Sequence, residues 1–141
     1  MDVEPLLSEL AKAADVCLKP YRHALRFSGE PPIFDLMVLG LGEDGHTASL
    51  FPGTEAPTVT DRWTTVGRGK GLERITLTAP VLSASRQVIF LVSGAGKAQA
   101  LARLLDPAES PQRTPAKLVT PRTEVLVLAD ESALAGGAAA G

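Results

Sequence analysis

Asp44 and His46 flank Gly45 in the stretch Gly40-Leu41-Gly42-Glu43-Asp44-Gly45-His46-Thr47-Ala48-Ser49-Leu50-Phe51-Pro52-Gly53. An imidazole that titrates near neutrality is the commonest general base. A carboxylate two residues away is placed to orient that ring or to contact substrate hydroxyls. The plainer alternative is a histidine that only satisfies a loop carbonyl. Gly40, Gly42 and Gly45 let the backbone turn sharply and let a substrate approach the peptide groups. They also spell G-x-G-x-x-G, the dinucleotide fingerprint. The context contradicts that reading, because the fingerprint needs a long helix aimed at a pyrophosphate. Pro52-Gly53 ends any helix within two turns of Gly45. No strand ending in an acidic residue follows about 20 residues on, where the ribose would be held.

A second stretch with chemistry is Val92-Ser93-Gly94-Ala95-Gly96-Lys97. It resembles part of a P-loop, but Leu91 stands where the first glycine belongs and Ala98 where a magnesium-binding hydroxyl belongs. Triphosphate hydrolysis is therefore not expected. The elements of an anion site remain: small residues, helix N-terminal amides and a lysine. Charge supports this. Residues 62–103 carry Arg62, Arg68, Lys70, Arg74, Arg86, Lys97 and Arg103 against Glu73 alone. Such a segment is either a solvated face or a site for a small anion such as a phosphate ester.

The elements that must position these loops alternate. Leu7, Leu10, Ala14, Cys17, Leu18, Tyr21 and Leu25 recur at three- and four-residue steps, which predicts an amphipathic helix over 3–25, interrupted at Pro20. Cys17 falls on its apolar stripe and His23 off it. Ser28, Gly29, Pro31 and Pro32 predict a turn. The run 33–40 reads as a strand buried on both faces. Further strands are expected at 63–67, 74–78, 87–92 and 124–129, and a helix at 96–105. Asp130 is placed to cap a short C-terminal helix. This alternation predicts an α/β layered domain with a largely parallel sheet, whose ligands bind beyond the carboxyl ends of its strands. The expected organisation is one domain over residues 1–135 and a flexible tail over 136–141.

Composition excludes other classes. The chain has 141 residues, with 14 Lys and Arg against 16 Asp and Glu, so no global basic field points to nucleic acid. One cysteine rules out a disulfide framework and a cysteine-based zinc cluster, and no metal site is expected. No apolar run approaches the roughly 18 residues of a membrane span. The opening MDVEPLLSEL places acidic residues before apolar ones, the wrong order for a secretory signal. A reducing, cytoplasmic setting is expected.

The motif G-L-G-E-D-G-H-T-A-S-L-F-P-G closely resembles the signature of the 6-phosphogluconolactonase family. R-I-T-L-T-A-P-V-L, then V-S-G-A-G-K-A, then Pro121 and Asp130 fit the same family in the same order. The resemblance runs from about Leu10 onward. It implies a Rossmann-like three-layer fold with a mostly parallel sheet, similar to that of glucosamine-6-phosphate deaminases and ribose-5-phosphate isomerases. It also implies hydrolysis of 6-phospho-D-glucono-1,5-lactone in the oxidative pentose phosphate pathway, with no cofactor. On this reading His46 deprotonates a water, Asp44 assists it, and amides of the Gly40–Gly45 turn help hold the oxyanion. Lys97 and Arg74 anchor the sugar phosphate.

The deaminases of the superfamily resemble this loop up to the histidine, but then carry a glutamate that supports it. Phe51 stands at that position here, which fits the lactonases better. The family's Gly/Ser-rich phosphate loop and its Asp-Glu-Arg motif do not occur, so the chain resembles the C-terminal portion of the usual domain, rather more than half of it. Two other outcomes stay open. One is a sugar-phosphate-binding fragment that is non-catalytic or needs a complementing chain. The other is a deaminase- or isomerase-like enzyme. An apolar sheet edge left without its family neighbours predicts self-association.

Overall fold

A computed structural model describes residues 33–138 of the chain, with side chains through residue 135. The helix expected at 3–25, with Cys17, Pro20 and His23, and the turn at 28–32 lie outside the described residues. So do residues 139–141.

Three parallel strands form the main sheet: β1 (Leu36–Gly40), β4 (Gln87–Val92) and β5 (Val125–Ala129), in the order β1-β4-β5. All three are short runs of Val, Leu, Ile and Phe, which suit a pleated, largely apolar surface. The register pairs Val38 with Ile89 and Ile89 with Leu126, so these side chains share one face. Leu39, Val88, Phe90 and Val92 point to the other face and are buried.

Against that second face pack α1 (Ala79–Ser83), α2 (Ala98–Leu105) and α3 (Glu131–Ala138). They contribute Ala79 and Leu82, Ala100 and Leu101, and Ala133 to a single apolar cluster. Each large apolar side chain fully buried there contributes roughly 1.5–3 kcal/mol. Asp130 caps α3 as its position predicts, accepting a 2.8 Å bond from the Ala133 N–H. The helix runs three residues into the segment expected as a tail. α1 has no counterpart in the sequence reading, since five residues are too few to display a period.

The reading of the first strand as buried on both faces is corrected by the structure. Leu36 and Val38 are 53% and 50% exposed. Among the described residues β1 has one neighbour, β4, and all three helices lie on the opposite side of the sheet. Leu91, Leu126 and Leu128 extend the same open apolar face. An apolar run shows that a strand can be buried on both sides; what covers each side is a tertiary matter.

The strands expected at 63–67 and 74–78 are β2 (Thr64–Gly69) and β3 (Leu72–Leu77), and they form an antiparallel hairpin of their own. Lys70 and Gly71, both at positive φ (52° and 72°), make the two-residue turn that joins them. The helix expected from Gly96 divides into a 3₁₀ turn, Ala95–Lys97, followed by α2.

Candidate active site

The loop after β1 is fixed at both its apolar and its polar residues. Leu41, Leu50 and Phe51 are buried and anchor it to the core. Buried Thr47 donates its hydroxyl to the Gly40 carbonyl at 2.8 Å. The Gly42 N–H donates to the His46 carbonyl at 2.8 Å, and the Gly45 N–H to the Gly42 carbonyl at 2.9 Å. The loop thus closes on itself around the two residues whose chemistry matters.

Asp44 Oδ1 lies 3.0 Å from the His46 backbone nitrogen and 2.5 Å from His46 Nδ1. One oxygen therefore receives both donors of the same residue. An ionised carboxylate can only accept, so Nδ1 carries a proton, and in the neutral ring Nε2 then presents its lone pair on the far side. Burial pushes the Asp44 carboxyl up. The two His46 hydrogen bonds and the nearby His46 and Lys70 charges outweigh that, and the carboxyl is held below its ordinary value. The pair is therefore a carboxylate and a ring whose neutral form is oriented to take a proton at Nε2.

The three expected glycines do different things. A Cβ on Gly42 would occupy the space of the His46 imidazole, so this position needs glycine for close approach. Gly45 sits at φ +90°, packs against Thr114, and accepts a 3.1 Å bond from the Ala116 N–H. Gly40 ends β1 in open space. The amides of Gly42 and Gly45 are engaged within the loop, so neither is available to an oxyanion as the loop stands.

The hairpin completes one side of the site. The Thr76 hydroxyl of β3 accepts the Ser49 N–H at 3.1 Å. The Phe51 ring lies 4.5 Å from the His46 ring, tilted by 39°. The Arg74 guanidinium carbon stands 6.0 Å from the same Phe51 ring. Phe51 thus joins Arg74 to the Asp44–His46 pair. The sequence marked Phe51 only as a place where a glutamate is missing; the structure places its buried ring against the His46 imidazole.

Lys97 ends the 3₁₀ turn after β4, on the loop beside the one that carries His46. Among the described residues no hydrogen bond or ion pair joins it to His46 or Arg74. The two loops do meet one residue earlier, where the Glu43 carboxylate lies against Gly96. Of the basic groups in 62–103, Arg62 pairs with Asp61, Arg68 with Glu73 and Arg86 with Asp35, while Arg103 donates to the Glu43 carbonyl. Among the described residues Lys70, Arg74 and Lys97 have no ion pair. Lys70 was not singled out by motif; only its place in the basic segment signalled it. No group of three or more potential metal ligands occurs among the described residues, and no helix there is long and apolar enough to cross a membrane.

Residues 3–128 match the family described as glucosamine-6-phosphate isomerases/6-phosphogluconolactonase. A 6-phosphogluconolactonase of Synechocystis sp. is 49% identical over 106 residues, 75% of this chain and 44% of that protein. Among solved structures, 6-phosphogluconolactonase from Trypanosoma brucei superposes with a TM-score of 0.65 at 33% identity, over 74% of this chain and 43% of that one. A monomeric glucosamine-6-phosphate deaminase superposes at 0.58 with 25% identity, over 72% and 47%. The match to the Synechocystis and Nostoc relatives spans 44% of their length.

Proposed function

Because the chain belongs to the glucosamine-6-phosphate isomerase/6-phosphogluconolactonase family, we propose that its site hydrolyses 6-phospho-D-glucono-1,5-lactone to 6-phosphogluconate. The observation that carries this reading is the Asp44–His46 pair, with Nδ1 held at 2.5 Å and Nε2 left to act. His46 Nε2 takes a proton from a water, whose oxygen bonds to the lactone carbonyl carbon. The tetrahedral oxyanion then collapses, the ring C–O bond breaks, and the departing oxygen takes the proton back from His46. Lys97 and Arg74 hold the phosphate by charge-assisted bonds. No step calls for a metal or a cofactor. A cytoplasmic setting suits a chain with one cysteine.

The test is a coupled assay of 6-phosphogluconate release, with spontaneous lactone hydrolysis subtracted. His46→Ala lowers the enzymatic rate by about 10²–10⁴-fold, the usual contribution of a general base. A variant at near-normal rate removes His46 from this role. Product analysis with glucosamine 6-phosphate decides against the lactonase reading if ammonia is released instead.

A second reading concerns what the chain does alone. The open face carries Leu36, Val38, Leu91, Leu126 and Leu128 side by side, and β1 is an edge of the described sheet. Exposed apolar surface of this kind favours association. On this reading the 141-residue chain self-associates and turns over slowly by itself, and an N-terminal segment from a full-length relative raises its activity. Sedimentation velocity beside the lactonase assay tests it. A monomer with full turnover sinks the idea, and Val38→Lys with Leu128→Lys should shift an associated chain toward monomer.

A further inference from the structure

Arg103 and the Glu43–Asp44 peptide stand outside the roles assigned so far. Arg103 lies on α2, two turns beyond Lys97, and its Nη2 donates to the Glu43 carbonyl at 3.0 Å across 60 residues of sequence. Its Nε is buried without a partner. An apolar side chain of similar length would fill that space without leaving a donor unsatisfied. The guanidinium is therefore best explained by what its other end does.

What it does follows from the planarity of the peptide group. No cis peptide occurs among the described residues, so the Asp44 N–H points opposite to the Glu43 carbonyl. With that carbonyl held toward α2, the N–H faces away from α2. It has no hydrogen-bond partner among the described residues. The Gly42, Gly45 and His46 amides near it are engaged; the Glu43 N–H also has no partner among the described residues, but only the Asp44 N–H belongs to the peptide that Arg103 holds. The Glu43 carboxylate, lying against Gly96, braces the same residue from the loop that carries Lys97.

We propose that Arg103 is a positioning residue that fixes the Glu43–Asp44 peptide, and that the Asp44 backbone N–H is the donor presented to the oxyanion. The inference rests on the lactonase reading for the identity of the oxyanion, but not for the effect of Arg103 on the loop. It assigns one helix two tasks: Lys97 at its start meets the phosphate, and Arg103 near its end sets the reacting end of the site. A preorganised N–H costs no reorganisation when charge develops.

The experiment compares the whole chain with Arg103→Met, which keeps the packing, and Arg103→Lys, which keeps a donor. Amide hydrogen exchange is read by NMR without ligand. In Arg103→Met the amides of Gly42, Gly45 and His46 should exchange about tenfold to a hundredfold faster, the worth of one charged hydrogen bond. Those of Val88 and Phe90 in β4 should not change, and Arg103→Lys should recover part of the loss. Unchanged loop exchange in Arg103→Met overturns the inference, whatever the enzyme's activity. So does acceleration spread evenly over loop and strand.

The second arm adds 6-phosphogluconate, whose carboxylate oxygens stand in for the oxyanion. The Asp44 amide proton should move downfield in the native chain and stay in place in Arg103→Met, while the amides near Lys97 shift in both. A shift at the Lys97 loop without one at Asp44 refutes the oxyanion donor and leaves the proposed substrate standing. No shift anywhere in the native chain counts against the substrate and the donor together. Where turnover is measurable, kcat should fall by about 10²-fold in Arg103→Met with little change in KM. Equal losses in both variants, or a loss confined to KM, also speak against it.

Discussion

The loops after β1 and β4 leave neighbouring parallel strands side by side, yet they are built in opposite ways. The loop after β1 is sunk into the molecule: Leu41, Thr47, Leu50 and Phe51 are buried, and its amides bond to one another. The loop after β4 is mostly exposed, and among the described residues the side-chain hydrogen bonds that hold it go to one carboxylate. Asp130 accepts from the Ser93 hydroxyl at 2.6 Å and from the Gly94 N–H at 3.1 Å, and also caps α3. The first loop positions a proton-transfer pair, where a displacement of an ångström is costly. The second presents a lysine on a flexible stem, which meets a phosphate as a point charge and tolerates small displacements. Burial and internal hydrogen bonding are concentrated where the proposed chemistry depends on direction.

The largest effect expected from breaking this contrast is at Gly42. Gly42→Ala puts a methyl group where the His46 imidazole lies, and either the ring or the loop must move. Lactone hydrolysis should drop by about 10²-fold, with overpacking costing about 1–3 kcal/mol of stability. Kinetics and thermal melting read the two effects separately. A methyl group at Gly40, which ends β1 in open space, should do little by comparison.

Next in size are the cations. Lys97→Ala and Arg74→Ala should each weaken 6-phosphogluconate binding about tenfold to a hundredfold, while gluconate binding barely changes. Calorimetric titration of both ligands makes the comparison. Equal losses for both ligands would remove phosphate contact as their role. Lys70→Gln extends the series to the third cation without an ion pair among the described residues.

The smallest effect is a pH dependence. The Ser93 hydroxyl, with the Ala133 and Gly94 amides and the Ser132 hydroxyl, holds the Asp130 carboxyl well below the usual carboxylate range. A depressed folded pKa stabilises the protein above the unfolded value of about 3.9. That contribution is lost as pH falls through the folded value. The Tm difference between the native chain and Asp130→Asn should therefore be constant from pH 5 to 8 and shrink below about pH 4. A difference that grows toward acid would mean that Asp130 does not hold the second loop as its carboxylate.

The two loops also differ in how far they could be read in advance. Asp44 and His46 lie two residues apart in a tight loop, so spacing and residue type nearly settle that they meet. The cap at Asp130 and the strand at 87–92 were legible for the same reason: their determinants are local. Arg74 was placed at the site by resemblance alone. It stands there over Phe51 of the loop after β1, and the packing of the hairpin that carries Arg74 onto that loop is not written in either strand's own pattern. The packing of Gly45 against Thr114 and the Arg103 bond to Glu43 span about half the chain, and no periodicity reports such contacts.

By itself, then, the sequence determined which residues could react and which elements would hold them. Glycine density, an imidazole beside a carboxylate, apolar runs and caps act within a few residues of chain, where bond geometry leaves few choices. Only the tertiary structure decided that, among the described residues, β1 has an open face, the amides of Gly42 and Gly45 are already engaged, and Lys70, Arg74 and Lys97 have no salt bridge. Those outcomes depend on what lies across the fold. An apolar strand, a loop amide and a lysine look the same in sequence whether the opposite side holds a helix, a carbonyl, a carboxylate or water.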